Sequence, residues 1–239
     1  MGIGIDNTAD YYLRTSSLPS ISTFTVALWF RRTSDYGTHF LPLIYRNNGA
    51  GDTEWIALAL NGASYAMYLE NQSVSDTGSA TTLDQWYHAA LVKSGNDYSG
   101  YLDAVLDVNF TDSSTVTNTR LYVGGNDFAG GWTPSVDMAA VKIWDGVALT
   151  AAEVANEMRS YVPIRLAGLY AFYPMFSIAD DETDFSGNGH TWTVNGTPAT
   201  VDGPPIPWRA RRSWRRSSMV ALAGPAFVSY FRSRRLRVA

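Results

Sequence analysis

Apolar and polar residues alternate with a period of two along most of this chain. In residues 23–31, Phe24, Val26, Leu28 and Phe30 fall on one face, with Thr25, Ala27, Trp29 and Arg31 opposite, as a strand requires. Residues 55–60, 65–69, 87–92, 100–106, 121–123 and 139–144 predict further strands. Clusters of turn formers separate them: Asn47-Asn48-Gly49, Asn61-Gly62, Ser94-Gly95-Asn96-Asp97 and Gly130-Gly131. Many short strands with this punctuation predict an all-β, two-sheet antiparallel sandwich.

One segment breaks the alternation. Thr150-Ala151-Ala152-Glu153 is a capping box, in which the Thr hydroxyl accepts the N3 amide and Glu153 reaches back to the Thr150 amide. It predicts one short helix from Ala151 to about Ser160, ended by Pro163. Beyond it, 169–173 predicts a strand, 184–189 a tight turn, and 191–194 another strand. Gly203-Pro204-Pro205-Ile206-Pro207-Trp208 forms a stiff extended exit. No internal repeat of solenoid or propeller length is present.

Composition supports sheet over helix. Aromatic residues are 13% of the 239 and charged residues only 17%, with Thr, Val, Tyr and Trp dense where the strands are expected. The chain has no cysteine, which excludes disulfides, thiolate metal sites and a cysteine nucleophile. The start, Met1-Gly2-Ile3-Gly4-Ile5-Asp6, lacks the basic and apolar regions of a cleaved secretory leader, so export by that route is not expected. The longest apolar stretch, 219–231, contains Gly224-Pro225 and is too short to span a bilayer.

Charge divides the chain in two. Nine of its 18 basic residues are arginines within 209–239, a stretch with no acidic residue. The first 208 residues therefore carry the other nine against all 22 acidic ones, about −13 against +9 in the tail. This predicts an acidic folded body, 1–208, and a cationic C-terminal extension, 209–239, that docks elsewhere.

Several segments, taken in order, resemble one known family. Gly4-Ile5-Asp6-Asn7-Thr8-Ala9-Asp10-Tyr11-Tyr12-Leu13 is similar to its opening strand and "D-D-Y" turn, and residues 24–30 to its "F-T-V-A-L-W-F" strand. Gln85-Trp86-Tyr87-His88-Ala89-Ala90-Leu91-Val92 resembles "W-Y-H-V-A", Gly100-Tyr101-Leu102-Asp103 "L-Y-V-N-G", and Leu121-Tyr122-Val123-Gly124-Gly125 "L-x-I-G". Residues 136–154 resemble the closing "I-D-E-V-R-I-Y … A-L-S-x-x-E-I". The set resembles the laminin-G-like branch of the concanavalin A-like lectin/glucanase superfamily over about 4–160. Asp184-Phe185-Ser186-Gly187-Asn188-Gly189 is similar to a family segment that often opens the domain. Residues 168–208 are expected to return as a strand pair on the same sandwich, being too few for a second core. The resemblance implies a jelly roll.

It also frames the candidate chemistry. Glucanases of the superfamily carry Glu-x-Asp-x-(x)-Glu on one strand to set a nucleophile beside an acid; none of the five glutamates here has such partners. The histidines His39, His88 and His190 lack zinc-ligand spacing, and Ser186 lacks a nucleophile-elbow context. No catalysis is expected. Family members often hold a structural Ca²⁺ at positions resembling Asp137 and Asp10; the alternative for Asp137 is a carboxylate that bonds backbone amides. Aromatic and amide side chains at the sandwich rim, Trp55, Trp132, Tyr65, Asn47 and Asn48, are the candidates for glycan contact, against the bland reading of aromatics as core.

The tail comprises Arg209, Arg211, Arg212, Arg215 and Arg216, an apolar stretch including Phe227 and Phe231, then Arg232, Arg234, Arg235 and Arg237. Neighbouring protein subunits, with their acidic bodies as counter-charge, are the expected partner in a homo-oligomer. Nucleic acid phosphate and a bilayer surface are the alternatives. A lectin-like sandwich, no leader and a basic tail together raise the expectation of a non-enzymatic structural or adhesion protein of a virion, plausible for a bacteriophage. It would be made in the host cytoplasm, with the jelly roll displayed outward. The rival expectation is a stand-alone extracellular carbohydrate-binding module.

Overall fold

The computed structural model describes residues 1–5, 11–14, 18–35, 41–47, 55–62, 64–113, 119–125, 135–175 and 183–206. The chain separates into Met1–Pro207 and Trp208–Ala239. The second unit, with every tail arginine and Phe227 and Phe231, lies outside the described residues. In chain order the elements are β1 (Gly2–Ile5), β2 (Tyr11–Arg14), β3 (Thr23–Arg32), β4 (Leu41–Asn47), β5 (Trp55–Leu60), β6 (Ala66–Asn71), β7 (Ser75–Ala80) and β8 (Trp86–Ser94). They continue with β9 (Asp97–Leu102), β10 (Val105–Thr111), β11 (Arg120–Val123), β12 (Val136–Asp145), α1 (Ala151–Met158), β13 (Leu169–Tyr173), β14 (Thr193–Asn195) and β15 (Ala199–Val201).

These strands build two antiparallel sheets, a jelly-roll sandwich. The first runs β10-β9-β8-β3-β12-β1-β15, with β13 also on β12; the second runs β14-β2-β11-β4-β5-β6-β7. Inward residues of both meet in one core that includes Phe24, Val26, Leu28, Phe30, Ile44, Ile56, Leu58, Leu91, Leu121, Met138 and Ile143. Ala140 has φ 51° and the pairing of β12 with β3 shifts between Ala139 and Lys142. This bulge divides the far edge of β12, which pairs with β1 through Val136 to Met138 and with β13 through Val141 to Trp144.

Both open sides of the sandwich are closed locally. On one, Asp107 of β10 accepts the Ser79 amide at 2.9 Å and the Ser79 hydroxyl at 2.6 Å, while Asp76 of β7 accepts the Asn109 amide at 2.8 Å. The two edge strands thus cap each other across the sheets and use up donors that would template another chain. Gly78 permits the approach, since a Cβ there would lie 2.2 Å from Asp107 Oδ2. On the other side, β14 adds to the second sheet through β2 and β15 to the first through β1. Residues 193–201 therefore give one strand to each sheet.

The expected strand over 100–106 is interrupted. Asp103 and Ala104 have φ 48° and 66° and make a two-residue hairpin turn between β9 and β10. The turn is anchored because the Asp103 amide donates to His88 O and its carboxylate accepts the His88 amide, each at 2.8 Å. The helix ends at Met158, two residues short of the expected end, and its capping box forms as read: the Glu153 amide donates to Thr150 Oγ1 and the Thr150 amide to Glu153 Oε2. Val154 packs with Trp144, Leu149, Ala27 and Ala90, so the helix covers the outer face of the first sheet. Among the described residues no helix is long and apolar enough to cross a membrane.

The Asp184 turn is structural. Its carboxylate accepts the amides of Phe172, Ser186 and His190 at 2.8–3.0 Å, and Asn188 Nδ2 donates to Leu169 O and Tyr170 O. The Ser-Gly-Asn-Gly motif thereby ties the turn to β13.

Candidate functional site

The second sheet carries its aromatic residues on the face turned away from the core. Because Ile44, Ile56, Leu58, Met67, Leu69 and Leu121 point inward, the intervening Tyr45, Trp55, Ala57, Ala59, Tyr68, Glu70, Arg120 and Tyr122 face outward. Register brings them together: Tyr122 lies opposite Tyr45, Tyr45 opposite Ala57, and Ala57 opposite Glu70. One step along, Arg120 lies opposite Asn47 and Asn47 opposite Trp55. One step the other way, Ala59 pairs with Tyr68.

The floor of this face is buried. Tyr45, Ala57 and Tyr122 form a small cluster with Trp55 packed against it, and the two tyrosine rings lie 5.9 Å apart and tilted. At its margin Trp55, Tyr68, Glu70 and Arg120 are half-buried, the exposure of groups with one side on protein and one available to a ligand. Tyr68 Oη donates to Glu70 Oε2 at 3.1 Å. The Trp55 indole N–H is directed at the same carboxylate without closing a well-formed hydrogen bond. Burial pushes Glu70 above the usual carboxylate range, against the pull of Tyr68 and Trp55, and pushes the Tyr68 hydroxyl up as well. Arg120 donates to Tyr122 Oη at 3.2 Å. Among the described strand residues of this face Glu70 is the single carboxylate.

Of the residues expected from sequence to meet a glycan, Trp55 and Asn47 come together here, Asn47 fully buried and Trp55 at the margin. Tyr65 does not join them. It sits at the opposite end of the β5–β6 hairpin, roughly 17 Å along the strand direction, where the Arg32 guanidinium lies 4.0 Å from its ring centroid. Its backbone, at φ 54°, holds Thr81 through the Tyr65 carbonyl, so it serves a turn. Asn48 and Trp132 lie outside the described residues. Tyr68, Glu70 and Tyr45 escaped the sequence reading. Tyr68 could have been found, because Met67 and Leu69 mark the inward set of the same strand; Glu70 lay beyond the expected strand end.

At Asp137, one of the two positions where a metal was expected, the structure shows an ion pair. Asp137 Oδ2 accepts from Arg31 Nε at 2.7 Å and Arg31 NH2 at 2.5 Å. Among the described residues no group of three His, Cys, Asp or Glu gathers. Register explains the pair: Gly4, Asp137, Arg31 and Trp86 lie opposite one another on four successive strands, with Arg31 also 5.3 Å over the Trp86 ring. Asp10 lies outside the described residues.

Comparison with known proteins fits this architecture. Residues 6–155 match the model of the concanavalin A-like lectin/glucanases superfamily, and the chain belongs to that family. No curated protein matches the sequence significantly. A candidate carbohydrate-binding protein of Bacteroides ovatus shares the fold with a TM-score of 0.64 at 17% identity, over 87% of this chain and 62% of that one. The CBM40 module of the Ruminococcus gnavus IT-sialidase, bound to α2,3-sialyllactose, aligns with a TM-score of 0.51 at 12% identity, over 65% of this chain and 95% of that module. Trypanosoma rangeli sialidase in complex with the inhibitor DANA aligns with a TM-score of 0.54 at 14% identity, over 66% of this chain but 27% of the enzyme. The chain thus spans less than two thirds of the Bacteroides protein and about a quarter of the sialidase.

Proposed function

We propose that this protein is a carbohydrate-binding, lectin-like module that does no chemistry on its ligand. The observation that carries the reading is the Trp55–Tyr68–Glu70 cluster on the outer face of the second sheet. Two aromatic side chains supply apolar faces for a pyranose ring, and a half-buried carboxylate accepts its hydroxyls. Glycoside hydrolysis uses a pair of carboxyl groups, and Glu70 has no second carboxylate among the described strand residues of its face. The likeness to carbohydrate-binding modules supports the same reading.

Isothermal titration against glycans selected on an array tests it. Trp55→Ala should weaken binding at least tenfold, the loss of about 1.4 kcal/mol or more expected when an aromatic platform is removed, with the circular dichroism spectrum unchanged. Unaltered affinity in that variant would move the site elsewhere.

The virion expectation joined the lectin-like sandwich, the reading of the start of the sequence and the basic tail. The similar structures lend it no support and favour the carbohydrate-binding alternative.

A further inference from the structure

The charge at the cluster distinguishes one class of glycan from another. Glu70 is an acceptor-only group when ionised. Its Oε2 takes the Tyr68 hydroxyl, and among the described residues no other well-formed hydrogen bond fills it, which leaves acceptor capacity for a ligand. Among the described strand residues of this face the cation is Arg120, which starts β11 while Glu70 lies on β6, three strands away, roughly 14 Å at the usual strand spacing. It is also engaged by Tyr122. Among the described residues no countercharge therefore stands beside Glu70, and residues 1–208 are acidic, with 22 acidic residues against nine basic ones.

We propose that the Trp55–Tyr68–Glu70 cluster selects uncharged or amine-bearing sugars and rejects acidic ones, with Glu70 as the discriminating residue. This rests on the carbohydrate-binding reading and adds the ligand class. Hydroxyls and an ammonium donate to the Glu70 carboxylate, whereas a uronate or sialate carboxylate has nothing to donate and meets a like charge in a partly desolvated place. The Ruminococcus module, bound to a sialylated sugar, shows that the sandwich as a fold accommodates acidic glycans; the selection described here comes from the side chains on it.

The test compares matched glycans on the full chain at neutral pH: lactose with α2,3-sialyllactose, oligogalactose with oligogalacturonate, and glucosamine oligomers as the amine-bearing member. The expected result is a preference of about tenfold or more for the uncharged or amine-bearing partner. Glu70→Gln should narrow the ratio to within about threefold, whatever it does to the affinity for the neutral ligand itself, and raised salt should narrow it in the unaltered protein. Arg120→Gln should leave the ratio where it is. Equal or tighter binding of the acidic member overturns the inference, as does a ratio unmoved in a folded Glu70→Gln variant. Should that variant not fold, a preference insensitive to salt overturns it. Binding of acidic glycans that Trp55→Ala abolishes would sink the inference and spare the broader reading; failure of every glycan to bind would sink both.

Discussion

Lys142 and Glu157 are both about 1% exposed, and their charged ends lie 2.9 Å apart. The ammonium also donates to the carbonyls of Glu157 and Ser160 at 2.8 and 2.6 Å. The carboxylate accepts the amides of Ile164 and Arg165. Burial lowers Lys142 to about 8, with Glu157 opposing the shift. Such a pair holds only while every lone pair and proton is satisfied, so removing one member leaves a buried charge alone. Glu157→Ala should therefore cost about 3–5 kcal/mol in chemical denaturation. A double change to apolar residues, Lys142→Met with Glu157→Leu, should recover most of that loss. A second buried group gives a pH signature. His88 is fully buried beside Trp29, with ring centroids 5.5 Å apart, and desolvation, then Lys142, depresses it to about 3 from the ordinary 6.5. Between those values the unfolded chain binds a proton that the native one does not. Stability should thus fall as pH drops from about 6.5 towards 3, by at most on the order of 4–5 kcal/mol from this group. Urea titrations across that range should show a flatter dependence for His88→Gln than for the unaltered protein.

At the scale of elements, the edges of the sandwich are the informative places. The reciprocal caps between β7 and β10 place Asp76 and Asp107 where strand donors would otherwise be open. Asp107→Ala should cost about 1 kcal/mol and, by freeing an edge, raise self-association measured by light scattering. Gly78→Ala drives a methyl group against that same carboxylate and should destabilise by about 1–3 kcal/mol. These edges also show where legibility ended. Strand β3 and the capped helix could be read directly, because apolar alternation and a capping box are local signals. Strand β7, Ser-Asp-Thr-Gly-Ser-Ala, is polar and mostly exposed, as an edge strand that avoids further pairing tends to be, and carries no alternation to detect. The Asp103–Ala104 turn was hidden because a positive φ at Asp and Ala depends on the partner strand holding His88, not on the residues alone. The candidate site was half legible for the same reason. Trp55 announces itself, but Glu70 becomes its neighbour only once β5 and β6 pair, and Tyr65, equally conspicuous, is carried to the far end of that hairpin under Arg32.

For the whole molecule, the division of charge sets what each part can do. The sandwich core, the two sealed edges and the Trp55–Tyr68–Glu70 cluster all fall within the first unit, before residue 207. A chain cut after Pro207 should accordingly keep its β-rich circular dichroism, its cooperative unfolding and its affinity for glycan. We propose that the nine arginines of 209–239 serve a different kind of partner, one with carboxylates or phosphates to offer. Retention of the full chain on an immobilised polyanion should fall steeply with added salt, and the shortened chain, left with a body of about −13, should pass unretained. If glycan affinity fell with the extension while retention on the polyanion persisted, the two roles would have been assigned to the wrong halves. The separation matters for ligand choice too, because the arginines of the extension offer acidic sugars a countercharge that Glu70 does not. Selection against acidic glycans should therefore sharpen on removal of 208–239, and the ratio of lactose to α2,3-sialyllactose affinity in the shortened chain measures that directly.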